Sequence, residues 1–408
     1  MSRPLLVIFL TIFVNLVGFG IIIPLLPFYA RTFGASPIVI GLLFASFSLA
    51  QLLAAPLLGD LSDRWGRRPV LILSLIGTAI SFAMLAVAQS LAMLFAARIV
   101  DGLSGGNITT ARAYIADITT EENRAKAYGV LGAGFGLGFI VGPALGASLS
   151  HVSYTAPIWA AVVITLVATV LAWWWLPETV HRAHAGSGPF WRALRHLGHR
   201  HGLRQLLAID FIYWMSFAVY QATFALFGAR RFGFDATHTG YLFSAFGVVG
   251  VMVQGGLVGP VVRLLGNRRT LVIGLVCTAL GWGGSALTYS VPVFVLLLTP
   301  AAIGIGLCNA TLIALVSNAA ERGEQGRIQG AAGALESLGR TLGPIWGNLL
   351  LQKVGEGTAY GAAAALLLAA AGLAARGERG TVPVVTSENG DSPPSVAARG
   401  AGGGQSPL

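Results

Sequence analysis

Twelve predominantly apolar runs of about 20 residues, separated by short polar stretches, set the pattern of this chain. They fall at about 5–30, 38–59, 70–89, 91–116, 128–149, 155–176, 205–228, 238–261, 270–289, 293–316, 329–350 and 358–375. A helix crossing the hydrocarbon core of a bilayer needs runs of this length. Together with the internal repeat of its two halves, the pattern predicts an all-α integral membrane protein with twelve transmembrane helices in two pseudo-symmetric six-helix bundles. The first run passes through Pro24 and Pro27 with no small-residue cleavage site, so it reads as a retained span rather than a leader.

Composition identifies the solvent. Hydrophobic residues make up 55% of the 408 and charged residues 10%, against roughly 25% charged in a soluble domain. Mean hydropathy is +0.74. A soluble enzyme, a nucleic-acid-binding domain and a disulfide-stapled secreted protein are excluded; Cys277 and Cys308 both lie in apolar runs. The net charge of +10 becomes an orientation signal. Sorted by alternating side, nineteen Lys and Arg fall on one face and four on the other, while Arg98, Arg112 and Arg340 lie inside spans. The positive-inside rule then places both termini in the cytoplasm of a cell (inner) membrane.

The two halves repeat. Gly59, Gly66 and Arg68 recur as Gly259, Gly266 and Arg268, and Gly129, Gly142 and Pro143 recur as Gly330, Gly343 and Pro344. Asp117 meets Asn318 at the same spacing. The expected organisation is an N-terminal bundle over 1–176, a basic cytoplasmic linker over 177–204, a C-terminal bundle over 205–375 and a disordered cytoplasmic tail over 376–408. The linker histidines lack acidic or thiolate partners at metal-site spacing, so no metal and no cofactor is expected.

Between the second and third runs lies Gly59-Asp60-Leu61-Ser62-Asp63-Arg64-Trp65-Gly66-Arg67-Arg68-Pro69. Later come Arg98-Ile99-Val100-Asp101-Gly102, Ala116-Asp117, Glu121-Glu122-Asn123-Arg124, Gly138 to Gly146 around Gly142-Pro143, and Pro177-Glu178-Thr179. These segments resemble the signatures of the major facilitator superfamily, and most of all the tetracycline-efflux members of its twelve-span drug:proton antiporter branch. The resemblance implies alternating access, a small-molecule substrate exchanged for protons, no ATP and no enzymatic activity. It implies a cytoplasmic gate of Gly59, Asp63, Arg64, Gly66, Arg67, Arg68, Asp117 and Arg124, in which a charge cluster holds the outward-facing state. It implies an antiporter-motif helix carrying Gly138, Gly142, Pro143 and Gly146, and a proton-coupling role for Arg98. Three positions depart from the pattern. Asn15 stands where tetracycline-efflux relatives carry an acid, Gly146 is followed by Ala147 rather than glycine, and Arg263 stands where Asp63 would repeat.

Ionisable groups inside an apolar run are expensive and need a partner or a wet cavity. Arg98 and Asp101, three apart, can pair on one helix, as can Glu336 and Arg340, four apart. The first pair reads as a coupling site or a self-satisfied packing pair, the second as cavity lining or a structural bridge. Asp210 has no basic residue one helical turn away. It is either a proton- or substrate-linked carboxylate or a group hydrated at the cytoplasmic mouth. Asn15, Gln221, Gln254 and Asn309 are neutral candidates for substrate contact, with interhelical hydrogen bonding the alternative. The sequence carries no Gly-Lys-Ser/Thr nucleotide loop, which points to an ion gradient as the driving force. The expected partners are a small-molecule substrate, protons and the lipid bilayer, with no nucleic acid, and the chain is expected to act as a monomer. A proton-coupled or facilitative metabolite carrier and a transport-inactive receptor or scaffold are the competing functions.

Overall fold

A computed structural model describes residues 3–105, 107–179, 201–319 and 325–376, apart from a few side chains within those ranges. Most of the expected linker and tail, 180–200 and 377–408, lies outside the described residues, as does the side chain of Arg124. Among the described residues there are α-helices and one π-helical turn but no strand. The helices are α1 (Arg3–Thr32), α2 (Pro37–Trp65), α3 (Arg67–Ala86), α4 (Leu91–Ser104), α5 (Asn107–Ile118), α6 (Glu121–Ser150) and α7 (Ala156–Trp175) in the first half. The second half has α8 (His201–Phe232), α9 (Ala236–Met252), the π turn Val253–Leu257, α10 (Val258–Leu287), α11 (Val291–Asn318), α12 (Gln325–Lys353) and α13 (Thr358–Arg376).

Nine helical stretches among the described residues are long and apolar enough to cross a membrane. One of them, Ala236–Leu287, holds two passes, because Gly266 interrupts α10 with φ 77°. The fourth pass is split into α4 and α5, each too short to qualify alone, and α12 carries Glu336, Arg340 and Asn348. Twelve passes result. The expected fourth span, 91–116, breaks where Gly105 ends α4 and its N–H turns back to the Gly102 carbonyl at 3.1 Å. Paired glycines there offer no side chain to hold a helix together.

The repeat is visible in the packing. α1 lies against α6 as α8 lies against α12, and α3 lies against α4 and α7 as α10 lies against α11 and α13. Small residues allow the close approach that apolar solvent does not otherwise drive. A Cβ on Gly142 would stand 2.6 Å from the Val17 carbonyl, and one on Gly339 2.9 Å from the Met215 nitrogen.

Across the halves, α2 meets α12 and α6 meets α9. These contacts run from one end to about mid-helix, where Gly136 of α6 meets Val251 of α9. Gly41 of α2 sits on the Pro344 carbonyl, and a Cβ on Gly240 of α9 would stand 2.7 Å from the Pro143 carbonyl. Toward the other end of the same four helices, Gly59, Gly129, Gly132, Gly250, Gly330 and Gly333 have open space where a Cβ would go. The molecule is thus a wedge, sealed at the face of the loops near 34, 152, 234 and 355. It is open at the face carrying Gly66, Gly266 and both described ends.

Candidate functional site

Three polar constellations sit on this wedge. The first occupies the open face, between α2 and α3. Gly66 adopts φ 110°, a left-handed conformation that favours glycine. A side chain at Gly66 would also collide with the Glu178 carboxylate, which accepts the backbone N–H of Arg67 at 2.9 Å and of Arg68 at 3.3 Å. Glu178 therefore caps the exposed N-terminus of α3 from the end of α7, where a negative charge is favoured. Arg67, nearly buried, is shared between Asp63 at 2.5 Å and Asp117 at 3.1 Å, and it also donates to the Ser62 hydroxyl at 3.2 Å. Arg68 donates to the Trp173 carbonyl at 2.5 Å, closing the end of α7. In the second half Arg268 does the same for α13, donating to the Ala374 carbonyl at 2.7 Å.

The ion triad has no counterpart there, since Arg263, Asn267 and Asn318 replace Asp63, Arg67 and Asp117. Arg64 of the expected gate pairs instead with Asp60 at 3.0 Å on the surface. The triad lies wholly within the first half and is complete while this face stands open.

Glu178 was not assigned a role from the sequence, because its partners are backbone groups 111 residues away. Glu178→Ala is expected to cost about 0.5–1 kcal/mol and to lower the melting temperature in detergent. Glu178→Gln, which keeps an accepting oxygen, should recover part of that loss. An unchanged melting temperature in Glu178→Ala would remove the cap from the account.

The second constellation is buried between α2, α3 and α4. Arg98 and Asp101 are paired at 2.7 Å with side chains 1% and 9% exposed. The guanidinium lies 4.2 Å from the Phe47 ring centroid. Phe47 continues to Phe19 and Phe19 to Phe139, giving an aromatic wall from α2 through α1 to α6. Asn15 is half-buried on α1, four residues before Phe19.

The third constellation gathers four of the candidate residues from three helices. Glu336 and Arg340 pair at 2.9 Å on α12, each side chain more than a quarter exposed. Arg340 lies 5.1 Å from the Trp214 ring centroid of α8. Asp210, one turn before Trp214, is 6% exposed and faces the Trp214 indole N–H, Glu336 and Arg340. Tyr213 donates to the Asn309 side-chain oxygen of α11 at 3.0 Å. Asp210 is thus not isolated: Glu336 and Arg340 of α12 bear on it, although no ion pair with it is formed among the described residues. Gln221 is buried on α8, away from any charged group, and Gln254 is exposed on the π turn. Neither joins a cluster. Trp214 and Tyr213 were missed because an aromatic on an apolar helix looks like core.

Among the described residues no ion pair crosses the seam of the sealed face. The Ser244 hydroxyl of α9 donates to the Ile140 carbonyl at 2.7 Å. Ser148 meets Tyr241 and Ser150 meets Thr237, each at 3.1 Å, and the Ile38 N–H donates to Gln352 Oε1 at 3.1 Å. Neutral hydrogen bonds over small-residue contacts can be exchanged for water at modest net cost.

This wedge and its paired glycine loops agree with the sequence comparisons. The Major Facilitator Superfamily profile matches residues 8–263 and 211–401. The chain belongs to the major facilitator superfamily. It is 34% identical to the class C tetracycline resistance protein of Escherichia coli, over 84% of this chain and 88% of that one. It is 36% identical to the class G tetracycline resistance protein of Vibrio anguillarum, over 85% of this chain and 89% of that one. The crystal structure of the human organic anion transporter MFSD10 superposes with a TM-score of 0.72 at 25% identity, covering 91% of this chain and 99% of that one. This major facilitator protein is accordingly a multi-pass membrane protein with the fold expected from its repeat.

Proposed function

We propose that this major facilitator protein exports an amphipathic, tetracycline-like drug in exchange for protons by alternating access. The observation that carries the reading is the wedge itself: one face sealed by exchangeable neutral contacts, the other open onto buried charges. Kinship to the tetracycline resistance proteins supports the substrate class. The charge bias orients the open face to the cytoplasm, so the conformation faces inward, in an inner membrane with both termini inside. Bundles 1–176 and 205–375, the linker 177–204 and the tail 376–408 form one monomeric carrier in this reading. Substrate enters between the aromatic wall of the first bundle and the Asp210 cluster of the second. Arg98 and Asp101 are neutralised by each other, so proton coupling falls on the second half.

Proteoliposomes with an internal pH dye provide the test. Adding a tetracycline against an imposed proton gradient should trigger proton flux, which Asp210→Asn should abolish. Asn15 in place of an acid favours one competing reading, a facilitative carrier. Drug exchange that persists with no proton movement in the wild type would establish that reading and overturn antiport.

A further inference from the structure

Two carboxylates among the described residues are buried, Asp101 and Asp210. Asp101 has Arg98. Asp210 has no ion-pair partner among the described residues, although it is more than nine-tenths buried. An ionised carboxylate without a counter-charge is strongly disfavoured in such a place, and the group takes a proton instead. The groups that bear on it are Trp214 of its own helix and Glu336 and Arg340 of α12. Tyr213 beside it is engaged with Asn309, and Cys308 of α11 faces Tyr213. The other helices packed on α8 bring no further charged group to Asp210 among the described residues.

Arg340 is held by Glu336 through one nitrogen at 2.9 Å, while its Nε–H donor is buried and unused. Its guanidinium lies over the Trp214 ring, and the indole N–H of that same ring faces Asp210. One guanidinium thus pairs with Glu336 and bears on Asp210, and the Trp214 ring meets both the guanidinium and Asp210. Arg can slide over such a face without losing the attraction of the ring.

We propose that Arg340 switches between Glu336 and Asp210, so that a proton on Asp210 and a cationic substrate group on Glu336 exclude one another. This rests on the export reading above and names the substrate charge. In this scheme Arg340, paired with Glu336 at 2.9 Å, neutralises it while Asp210 holds the proton. When the Asp210 O–H gives its proton to cavity water, the new carboxylate draws Arg340 across Trp214. Glu336, the more exposed of the two acids, is then left negative at the wedge and takes a lipophilic cation. Reprotonation of Asp210 returns Arg340 to Glu336 and expels the cation. Trp214 is a positioning residue in this scheme.

The test needs no transport. Infrared spectra of the purified full-length protein in lipid are recorded across neutral pH. The C=O stretch of a protonated carboxylic acid is expected in the wild type and should be absent in Asp210→Asn. In Glu336→Gln the freed Arg340 turns to Asp210, so the band should fade at lower pH, by about one unit or more. In the Arg340→Gln background the same Glu336→Gln change should move it less, because only the direct repulsion between Glu336 and Asp210 is then lost. Saturating tetraphenylphosphonium, an aromatic monocation, should bleach the wild-type band and release a proton. A band that survives Asp210→Asn, or a Glu336→Gln shift of equal size without Arg340, would overturn the switch. A band indifferent to tetraphenylphosphonium would overturn the cationic-substrate assignment. Absent drug flux with these spectra as expected would count against the export reading alone.

Discussion

Asp101→Ala should leave Arg98 charged, 1% exposed and without its carboxylate. Removing one partner of a buried ion pair costs about 3–5 kcal/mol, because the remaining charge keeps its desolvation penalty. That is a large part of the stability of a typical domain. The expected result is a steep fall in folded yield from the membrane and a lower melting temperature in detergent. The Phe47 ring, 4.2 Å from the guanidinium, offsets little of the lost Coulomb attraction. Replacing both members, Arg98→Met with Asp101→Ala, should recover most of the stability, since no unpaired charge is then left in the core. A single variant as stable as the wild type would mean that water reaches Arg98. The double variant also separates structure from transport. A stable but inactive double variant would assign the pair a role beyond holding α4 in place.

Gly41→Leu is the second change of large effect. Gly41 of α2 sits directly on the Pro344 carbonyl of α12, and Asn348 lies 3.1 Å from where a Cβ would be. Backbone atoms cannot rotate away, so a side chain must push the halves apart at the sealed face. Overpacking of this kind costs about 1–3 kcal/mol, which displaces the closed–open equilibrium by roughly 5–150-fold. The variant should fold, because Gly41 packs across the seam and not within its own half. A cysteine placed at Thr237, whose hydroxyl meets Ser150 at 3.1 Å, reports on the seam. It should react with an impermeant maleimide faster in Gly41→Leu than in the parent, and drug transport should be lost. Equal labelling rates would show that the seam tolerates the side chain and that α2 and α12 do not form the seal.

The contrast between Arg98 and Asp210 shows how far the chain could be read directly. Arg98–Asp101, Glu336–Arg340 and Asp63–Arg67 are three or four residues apart on single helices. Helical pitch brings such residues together whatever the rest of the molecule does. The surroundings of Asp210 depend on α12, more than 120 residues later in the chain. No periodicity on α8 announces Arg340. Glu178 is similar, a plain surface acid by sequence and the cap of α3 in the folded protein. Gln254 is a further case, since only the fold shows that the π turn at Val253–Leu257 presents it on an exposed face.

The gate shows the same division. Gly66 and Gly266 could be matched by their spacing, and both adopt left-handed backbone in the structure. Their surroundings then diverge. Glu178 fills the space beside Gly66, while beside Gly266 there is nothing within reach of a side chain. The substitution of Arg263 for an acid already indicated an asymmetric gate. That Asp117 joins Asp63 on Arg67 within one half, and that the cluster stands complete on an open face, followed only from the packing of α5 against α3.

The run pattern and the charge bias together predicted twelve passes, because each pass is largely a local balance between apolar side chains and lipid; by hydropathy alone nine stretches qualify among the described residues. The internal repeat alone determined the two halves, and helical spacing alone determined the local ion pairs. Which face of the wedge is closed, and that Asp210 lies buried beside Trp214, Glu336 and Arg340, were decided by tertiary structure. These depend on how helices from distant parts of the chain approach one another, and in lipid that is set by close packing of small residues rather than by any pattern along one helix.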